Sequence, residues 1–369
     1  MTPIIPLLRP LLPSLDRVTP YLKRIDTNRY YTNFGPLQQE FLSRLINLQQ
    51  EKEGCSIYGV LTANATLGLE LVIAGLDLPI GSRIAVPALT FVATAAAVER
   101  CGHIPVVVDV DDKSWLLTPK QMFTGQLSRN ISAVIPVSTF GMPQEVASWE
   151  LWSRTNNIPV IFDAAAAFGA QDIGPNITAV FSLHATEALS SGEGGLILTR
   201  NQAFAERLLA MTNFGIGLKN PTLSGNAKMS EYHAAVGLAH LDMWQDQVIA
   251  RMRLYKKYRD SLEVASGKNI EFQIDTGIFA PSLFCLRMRS RAMRDDLELV
   301  LARENIQTRR WYLPLLQHQK QLKSIEVLQP TPNALLLSET LLGLPFFVDM
   351  TDSEFEKVCR VILDFAKIR

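Results

Sequence analysis

Two carboxylates, Asp163 and Glu187, are the residues of this sequence with the clearest chemical potential. Asp163 directly follows the apolar run Ile158-Pro-Val-Ile-Phe162, which has the length of a buried strand. Because open α/β sheets bind ligands at the carboxyl ends of their strands, Asp163 either binds a ligand or caps the helix that would follow it. Glu187 can accept and release a proton, at a pKa that burial and neighbouring groups set.

Short apolar runs alternate with helix-length segments from about Val60 to Ala250, and this pattern predicts the sheet that would position both carboxylates. The runs of strand length are Val106–Val110, Ala133–Val137, Ile158–Phe162, Ala179–Ser182 and Leu196–Thr199. Helical stretches between them include Pro143–Asn156 and Asn201–Met211. Near-continuous apolar strands are typical of a mainly parallel sheet covered on both faces.

The C-terminal third has a different pattern, which predicts a second domain. A helical pattern from about Met229 to Leu262 leads into it. Beyond lie Ser282–Met288, a charged helix near Ser290–Glu304 and the run Gln307–Tyr312, which together predict a mixed α+β fold. We therefore expect a large α/β domain with an N-terminal arm over residues 1–250, and a small α+β domain over 251–369.

Composition excludes several classes of protein. The 369 residues are 47% hydrophobic and 20% charged, which is typical of globular proteins with a large core. Lysine plus arginine equals aspartate plus glutamate at 36 each, so no net charge favours nucleic acid. Four cysteines, none paired as Cys-x-x-Cys, argue against a zinc ribbon or a disulfide framework.

Neither a secretion signal nor a membrane segment is predicted. The first ten residues are apolar but contain prolines, and they lack the basic region and cleavage site of a secretory signal. The longest apolar stretch, Ile84–Val98, contains Pro87 and is shorter than the ~20 residues that span a bilayer. We expect a cytoplasmic protein without a membrane partner.

The segment around Glu187 carries a resemblance to a known family. Phe181-Ser-Leu-His-Ala-Thr-Glu-Ala-Leu-Ser-Ser-Gly-Glu-Gly-Gly195 resembles the signature of the DegT-type (DegT/DnrJ/StrS) sugar aminotransferases, close to Ser-Phe-His-Ala-Thr-Lys followed by Gly-Glu-Gly-Gly. These are fold-type I enzymes that use pyridoxal 5'-phosphate (PLP). The resemblance implies an α/β fold with a mainly parallel seven-stranded-type sheet, and it puts Glu187 where the family has its Schiff-base lysine.

Two further blocks are similar to cofactor-binding elements of the family. Thr62-Ala-Asn-Ala-Thr-Leu-Gly-Leu-Glu70 resembles a turn whose backbone amides hold the cofactor phosphate, which implies that role for Ala65 and Thr66. An ordinary capped helix is the alternative. Pro87-Ala-Leu-Thr-Phe-Val-Ala-Thr-Ala95 resembles the block whose second aromatic stacks on the pyridine ring, which implies that role for Phe91. A plain core phenylalanine is the alternative there.

The Asp163 block also matches. Asp163-Ala-Ala-Ala-Ala-Phe-Gly-Ala170 resembles Asp-Ala-Ala-Gln-Ala-x-Gly-Ala, in which the aspartate pairs with the protonated pyridine nitrogen. Ala166 replaces the polar residue often found near the cofactor's phenolic oxygen. Ser182 opens the signature segment, and the resemblance implies that it binds the phosphate.

A later block implies a shared site. Gly225-Asn-Ala-Lys-Met-Ser-Glu231 is similar to Asn-x-Lys/Arg-Met-Ser-Glu, in which the asparagine and the base reach the phosphate of the neighbouring subunit. The resemblance therefore implies a homodimer with shared active sites, in which Asn226 and Lys228 contact the cofactor. A solvated helix start capped by Ser230 or Asn226 is the alternative.

The expected substrate contacts are spread along the chain. Tyr31-Thr-Asn-Phe-Gly-Pro36 resembles an N-terminal element near the substrate, which implicates Asn33 and Phe34. Thr308-Arg-Arg-Trp-Tyr-Leu-Pro314 resembles Thr-Arg-x-x-Tyr-x-Pro and implicates Arg309 and Tyr312. His184 is assigned to the same substrate group, although a lone histidine is also compatible with a structural role. Together the blocks run in the family order from about residue 30 to 350.

Glutamate at position 187 changes what the family chemistry allows. A lysine holds PLP through an imine and moves protons between the substrate and the cofactor, whereas a carboxylate forms no imine with an aldehyde. We therefore expect PLP or pyridoxamine 5'-phosphate (PMP) to be held non-covalently. A carboxylate also favours PMP, because the PMP amine is cationic.

Three interpretations of Glu187 stay open at this point. In the first, the protein is an unusual PLP/PMP-dependent enzyme acting at a keto or amino carbon of a small-molecule substrate, a nucleotide-linked sugar or a related ring. In the second, an ordinary aminotransferase has been disabled by an engineered lysine-to-glutamate change. In the third, the chain is a non-catalytic homologue with a binding or regulatory role. The sequence does not decide whether the protein is an enzyme.

Overall fold

Apolar runs of the first 200 residues form the strands of a central sheet. The structure is a computed structural model that describes residues 3–122, 131–219, 223–265, 269–274 and 281–368. The strands of this region are β1 (Tyr58–Thr62), β2 (Arg83–Pro87), β3 (Ile104–Val108), β4 (Ala133–Val134), β5 (Ile161–Asp163), β6 (Thr178–Ser182) and β7 (Gly195–Thr199). Strands β5, β6 and β7 are buried along their whole length, as expected for strands covered on both faces.

The pairing order brings distant parts of the chain together. One group runs β1-β7-β6-β5, and the other runs β10-β3-β2-β4, with β10 (Glu326–Val327) from the C-terminal third. Parallel bridges from Val134 to Val160 and from Val137 to Asp163 join the two groups. Strand β7 is antiparallel to both β1 and β6, while the other pairs are parallel. The predicted mainly parallel α/β sheet is confirmed.

Helices cover this sheet on both faces. They are α1 (Leu15–Asn28), α2 (Pro36–Glu53), α3 (Ala65–Gly75), α4 (Val92–Arg100), α5 (Pro119–Met122), α6 (Val146–Asn156), α7 (Gln202–Met211) and α8 (Glu231–Leu241). Large apolar side chains on either side of the sheet form two extensive core clusters. The predicted helices over Pro143–Asn156 and Asn201–Met211 are present as α6 and α7, each starting slightly later than the pattern indicates.

The long helical pattern after Met229 is two helices and not one. Helix α8 ends at Leu241, and α9 (Trp244–Leu262) begins after the two intervening residues Asp242 and Met243. The backbone N–H of Asp242 still bonds to Leu238, and that of Met243 to His240. The apolar spacing continues across this short break, so the pattern alone does not reveal it. Residue 250, the predicted domain boundary, lies inside α9.

C-terminal residues form a smaller antiparallel sheet with its own core. It has the order β11-β9-β8, from β8 (Ile270–Phe272), β9 (Phe284–Met288) and β11 (Leu341–Leu344). Helices α10 (Arg291–Arg303), α11 (Pro332–Thr340) and α12 (Asp352–Ile368) accompany it. A third core cluster, mostly from residues beyond 254, fills the space between these elements. In the described ranges, no helix combines the length and apolarity needed to cross a membrane.

Candidate active site

Asp163 lies at the carboxyl end of β5, in the middle of the central sheet. Its side chain is buried, with 5% of the residue exposed. One oxygen, Oδ2, accepts a 2.7 Å hydrogen bond from the Thr94 hydroxyl. The other, Oδ1, accepts one from the Ala165 backbone N–H at 3.3 Å. The bond to Ala165 resembles a local cap, but no α-helix begins there.

Burial makes the negative charge of Asp163 unfavourable. Desolvation raises the pKa of Asp163, and the hydrogen bonds from Thr94 and Ala165 lower it by less. A buried carboxylate of this kind gains most when a cation is brought against it. Asp163 is therefore prepared to bind a positively charged group.

A group of aromatic rings lies at the start of α4, the helix whose Thr94 bonds to Asp163. Phe91, the residue before α4, is 54% exposed although it follows an apolar stretch. Its ring centroid lies 6.5 Å from that of Tyr312, and Tyr312 stacks on Phe140 at 5.7 Å. Burial raises the pKa of Tyr312, and the charges of Glu187 and Asp163 contribute to that shift. These rings offer flat apolar surface to a planar ligand.

The amino end of α3 lies beside Ser182. Asn64 caps the helix by accepting a 2.9 Å hydrogen bond from the Leu67 N–H. The neighbouring strand residue Gly195 pairs with Thr62 on one side and Ser182 on the other. A Cβ at Gly195 would lie 2.6 Å from the Asn64 carbonyl carbon and closer still to the Thr62 hydroxyl. Glycine there lets the helix start approach β7 and β6, as an anion cradle requires.

Ala65 and Thr66 are the first two residues of α3, directly after the Asn64 cap. Their backbone N–H groups belong to the turn that has no intrahelical acceptor. The Gly225–Glu231 block also lies next to the start of α3, because the Ala227 carbonyl oxygen accepts a 2.7 Å hydrogen bond from the Ala63 N–H. Lys228 donates to Asn213 at 2.9 Å and lies over the Phe214 ring, and Asn226 is exposed. The structure thus brings the Asn226 segment next to the start of α3.

Glu187 follows a turn after β6 that starts at His184, whose carbonyl accepts from the Glu187 N–H at 3.0 Å. The residue is half-buried. Desolvation raises the pKa of Glu187 to about 8; the Ser282 hydroxyl and the Arg251 charge lower it, and the Asp163 charge raises it. A carboxyl with a pKa near neutral pH is suited to both giving and accepting a proton.

This raised pKa predicts a specific pH dependence of stability. A carboxyl that binds its proton more tightly when folded stabilises the protein at low pH and loses that contribution as pH rises through the folded pKa. We expect the free energy of unfolding of the native protein, relative to Glu187→Gln, to fall between about pH 4.5 and pH 8. The difference should be on the order of 2–4 kcal/mol.

Urea denaturation of both proteins across this pH range measures the effect. Glutamine stays neutral, and all other titrating groups are common to the two proteins, so the difference isolates residue 187. Parallel stability curves would contradict the prediction.

Two predicted substrate residues lie in the turn before α2. Asn33 and Phe34 both have positive φ, 61° each, in the turn before α2. Their carbonyls accept hydrogen bonds from Tyr30 and Gln39 respectively. The turn is fixed against α8, because Glu231 accepts from the first amides of α2.

His184 and Arg309 are both exposed. His184 Nδ1 lies 2.9 Å from the Thr186 hydroxyl, and its Nε2 lies 3.7 Å from Glu193. The Arg309 guanidinium lies over the Trp311 ring at 4.1 Å. His184 thus stands three residues from Glu187, and Arg309 three residues from Tyr312, each available at the surface.

Sequence reasoning missed three residues of this cluster: Thr94, Arg251 and Ser282. Thr94 lies in the Pro87–Ala95 block, three residues after Phe91, and its small polar side chain was the available signal. Arg251 is buried, yet it lies on α9 among many exposed charged residues. Ser282 begins the run before β9 and donates to the Ala166 carbonyl at 3.0 Å. No pattern in the sequence points to Arg251 or Ser282.

Comparison with known proteins identifies the family. The family model of the DegT/DnrJ/EryC1/StrS aminotransferases matches residues 16–363. The dTDP-4-amino-4,6-dideoxy-D-glucose transaminase of Shigella dysenteriae is 30% identical over 367 residues, covering 96% of this chain and 97% of that protein.

Solved structures agree with this result. DesI, crystallised in the presence of its TDP-sugar product, has a TM-score of 0.88 and 28% identity, covering 99% of this chain and 93% of DesI. NtdA from Bacillus subtilis, with bound PMP, has a TM-score of 0.81 at 19% identity, covering 96% of this chain and 82% of NtdA, and supports the fold. The fold is that of the fold-type I PLP-dependent aminotransferases. This chain belongs to the DegT/DnrJ/EryC1/StrS aminotransferase family.

Proposed function

We propose that this protein binds PLP or PMP without a covalent bond and acts at a keto or amino carbon of a nucleotide-linked sugar, with Glu187 in place of the family's lysine. The observation that supports this proposal is that Glu187 lies in the turn after β6, and that β6 pairs in parallel with β5, which ends at Asp163. Because the carboxyl ends of neighbouring parallel strands meet at one edge of a sheet, we assign Glu187 to the same site as the residues expected to bind the cofactor.

The residues present fit the cofactor. Asp163 has the buried, uncompensated carboxylate that a protonated pyridine nitrogen requires. Phe91 has the exposed ring face that a flat heterocycle can cover. The first turn of α3 with Ala65 and Thr66, and the adjacent Ser182, form a cradle that Gly195 keeps open for a phosphate. When bound, the cofactor would supply an electron sink for bond changes at the substrate carbon.

Glu187 would act through its proton and its charge. In its ionised form the carboxylate would pair with the cationic amine of PMP and hold that form of the cofactor. In its protonated form it can give a proton to a leaving oxygen or to the substrate carbon. Both forms are accessible near neutral pH because its pKa is about 8.

The sugar assignment rests on the relatives. The Shigella transaminase is named for a dTDP-linked amino sugar, and DesI was crystallised with a TDP-sugar product. Exposed polar groups on this chain suit a phosphorylated, hydroxyl-rich ligand: the Arg309 guanidinium, His184 and Asn33. Phe34 and Tyr312 would contribute apolar contacts to the same ligand.

A homodimer with shared sites is part of the proposal. The segment that pairs with Asn226 through Asn213 presents Phe214 and Ile216, which are 60% and 70% exposed. Tyr31 and Tyr232 stack on each other and are also exposed. Apolar surface of this kind beside a site is typical of a subunit interface. In this dimer Asn226 and Lys228 would contact the cofactor phosphate of the neighbouring subunit. Within each subunit, residues 1–250 would form the large cofactor-binding domain, and residues 251–369 would form the smaller domain.

Absorbance titration with PLP and with PMP, followed by borohydride reduction and mass spectrometry, tests the proposal. We expect both cofactors to bind, PMP more tightly, and both to be removed by dialysis after borohydride treatment. A PLP adduct on any lysine of the native protein would exclude non-covalent binding. Absence of a spectral or thermal response to either cofactor would favour a non-catalytic homologue.

A further inference from the structure

Glu231 is a buried carboxylate that none of the proposed cofactor contacts uses. It is the first residue of α8, and 1% of it is exposed. Its Oε2 accepts a 2.9 Å hydrogen bond from the Leu37 N–H, and its Oε1 accepts one from the Gln38 N–H at 2.8 Å. Helix α2 needs these acceptors, because Pro36 has no N–H and Gly35 offers no side-chain cap. Glu231 therefore caps α2, although 194 residues separate it from Leu37.

The same residue also holds the turn that leads into α2, residues 30–35. The Glu231 backbone N–H donates to the Tyr31 carbonyl at 3.0 Å. The turn is therefore fixed near its start by the backbone of Glu231 and at its end by the carboxylate of Glu231. Gly35 permits this close approach, because a Cβ there would lie 2.5 Å from the Glu231 Cδ atom.

Two residues within this turn have an unfavourable backbone conformation. Asn33 and Phe34 each have a φ of 61°, which asparagine tolerates but which is rare for a bulky residue such as phenylalanine. Their carbonyls accept hydrogen bonds from the Tyr30 hydroxyl at 2.9 Å and from the Gln39 amide at 2.6 Å. Core packing does not explain the strain, because Asn33 is exposed and Phe34 is only half-buried. Such strain persists only where the surroundings impose it, and it is concentrated at ligand-binding segments.

The turn lies close to the proposed phosphate cradle. The Ala227 carbonyl accepts from the Ala63 N–H, two residues before α3, and the Glu231 N–H donates to Tyr31. Only four Cα–Cα steps separate Ala227 from Glu231, and they span at most about 14 Å. This short segment is thus joined at one end to the start of α3 and at the other end to the strained turn.

We propose that Glu231 is a positioning residue that holds the Asn33–Phe34 turn in the conformation that binds the nucleotide-linked sugar. Its carboxylate acts through the turn, because it is buried and both of its oxygens accept from α2. A turn that is already ordered loses less conformational freedom when a ligand binds, and its affinity is higher for that reason. The role of the turn rests on the proposed function, whereas the hydrogen bonds of Glu231 are a property of the protein without ligands.

Two variants disturb these bonds from opposite sides. Glu231→Gln keeps the size of the side chain but has one acceptor oxygen in place of two, so one amide of α2 loses its partner. Gly35→Ala keeps Glu231 and places a methyl group against its carboxyl, and alanine adopts the φ of −71° at this position without strain. We expect each variant to weaken the binding of dTDP-glucose to the PMP-loaded protein by about tenfold or more. The affinity for PMP itself should stay within about twofold, and isothermal titration calorimetry measures both.

Hydrogen exchange of the protein without ligands tests the positioning directly. Peptides that cover residues 30–39 should exchange about tenfold faster in both variants than in the native protein, whereas peptides from the second half of α2 should not change. Ser230→Ala is the matched control, because it removes the hydroxyl that caps α8 beside Glu231 and leaves the bonds to α2 in place. It should lower the melting temperature without changing the exchange of residues 30–39 or the affinity for dTDP-glucose.

Three results would overturn the proposal. The first is unchanged exchange of residues 30–39 in the folded variants. The second is an equal loss of PMP and dTDP-glucose affinity in Glu231→Gln, which would indicate general damage to the protein. The third is the same loss of dTDP-glucose affinity in Ser230→Ala, since a weakened start of α8 would then be the cause. If Glu231→Gln does not fold, Gly35→Ala decides.

The proposed function fails separately. A native protein that binds PMP but not dTDP-glucose would remove the nucleotide-sugar assignment. The exchange rates of residues 30–39 would still decide whether Glu231 positions the turn.

Discussion

Asp163→Asn should weaken PMP binding by roughly two to three and a half orders of magnitude, since breaking a buried charge pair costs roughly 3–5 kcal/mol. Asparagine keeps the shape of the side chain: its carbonyl oxygen can accept from the Ala165 N–H, and its NH2 group can donate to the Thr94 hydroxyl oxygen. It cannot supply the negative charge that a protonated pyridine requires. Isothermal titration calorimetry of PMP into both proteins measures the change.

Thr94→Val is the matched control for this prediction. It removes the 2.7 Å hydrogen bond to Asp163 but leaves the charge in place. We expect a loss of affinity of about three- to tenfold, comparable to the net contribution of one typical hydrogen bond. Because burial raises the pKa of Asp163, the Asn variant should fold at least as stably as the native protein near neutral pH. An Asn variant that binds PMP within threefold of the native protein would remove Asp163 from the cofactor site.

Glu187→Lys should convert reversible PLP binding into a covalent attachment that survives dialysis after borohydride reduction. Burial at this position and the nearby Arg251 charge both disfavour a charged amine, so the new lysine would be partly neutral and nucleophilic near neutral pH. Peptide mapping should place the added mass on residue 187 in the variant. The native protein and Glu187→Gln should carry none.

The same variant separates two explanations of Glu187. If Glu187→Lys gains transamination of a nucleotide-linked keto sugar and the native protein has no reaction of its own, the native chain is a disabled aminotransferase. If the native protein turns over a sugar substrate that the lysine variant no longer processes, the carboxylate is the replacement catalyst. Reduction that labels Lys228 or another lysine in the variant would show that position 187 is not directed at the cofactor.

Much of the large domain could be predicted because its strands are continuous apolar runs. Runs such as Ala179–Ser182 and Leu196–Thr199 are apolar and of strand length, so they predict strands that are buried on both faces. The direction of a strand could not be predicted from its apolar pattern. The pattern of β7, for example, does not show that this strand is antiparallel to both of its neighbours. The break between α8 and α9 was likewise hidden, since apolar spacing continues across Asp242 and Met243.

The candidate site could be predicted where its residues lie in sequence blocks that resemble the family. Asp163 and Thr94 occur in blocks that the family resemblance covers, and only the role of Thr94 was overlooked. Arg251 and Ser282 could not be found in this way. Their importance comes from tertiary packing that brings α9 and the start of β9 against the turn after β6. Charged residues on a helix otherwise indicate a solvated face, and Arg251 is an exception that only its burial reveals.

The position of β7 between β1 and β6 has a consequence for the order of events on the ribosome. β1 ends at Thr62, but the strand that pairs with it begins at Gly195, more than a hundred residues later in synthesis. Closing so long a loop is entropically slow and delays the pairing. The proposed phosphate cradle, which needs Thr62, Ser182 and Gly195 side by side, would therefore form only after most of the large domain has emerged. The newly synthesised domain would then bind the cofactor only after its central sheet is complete.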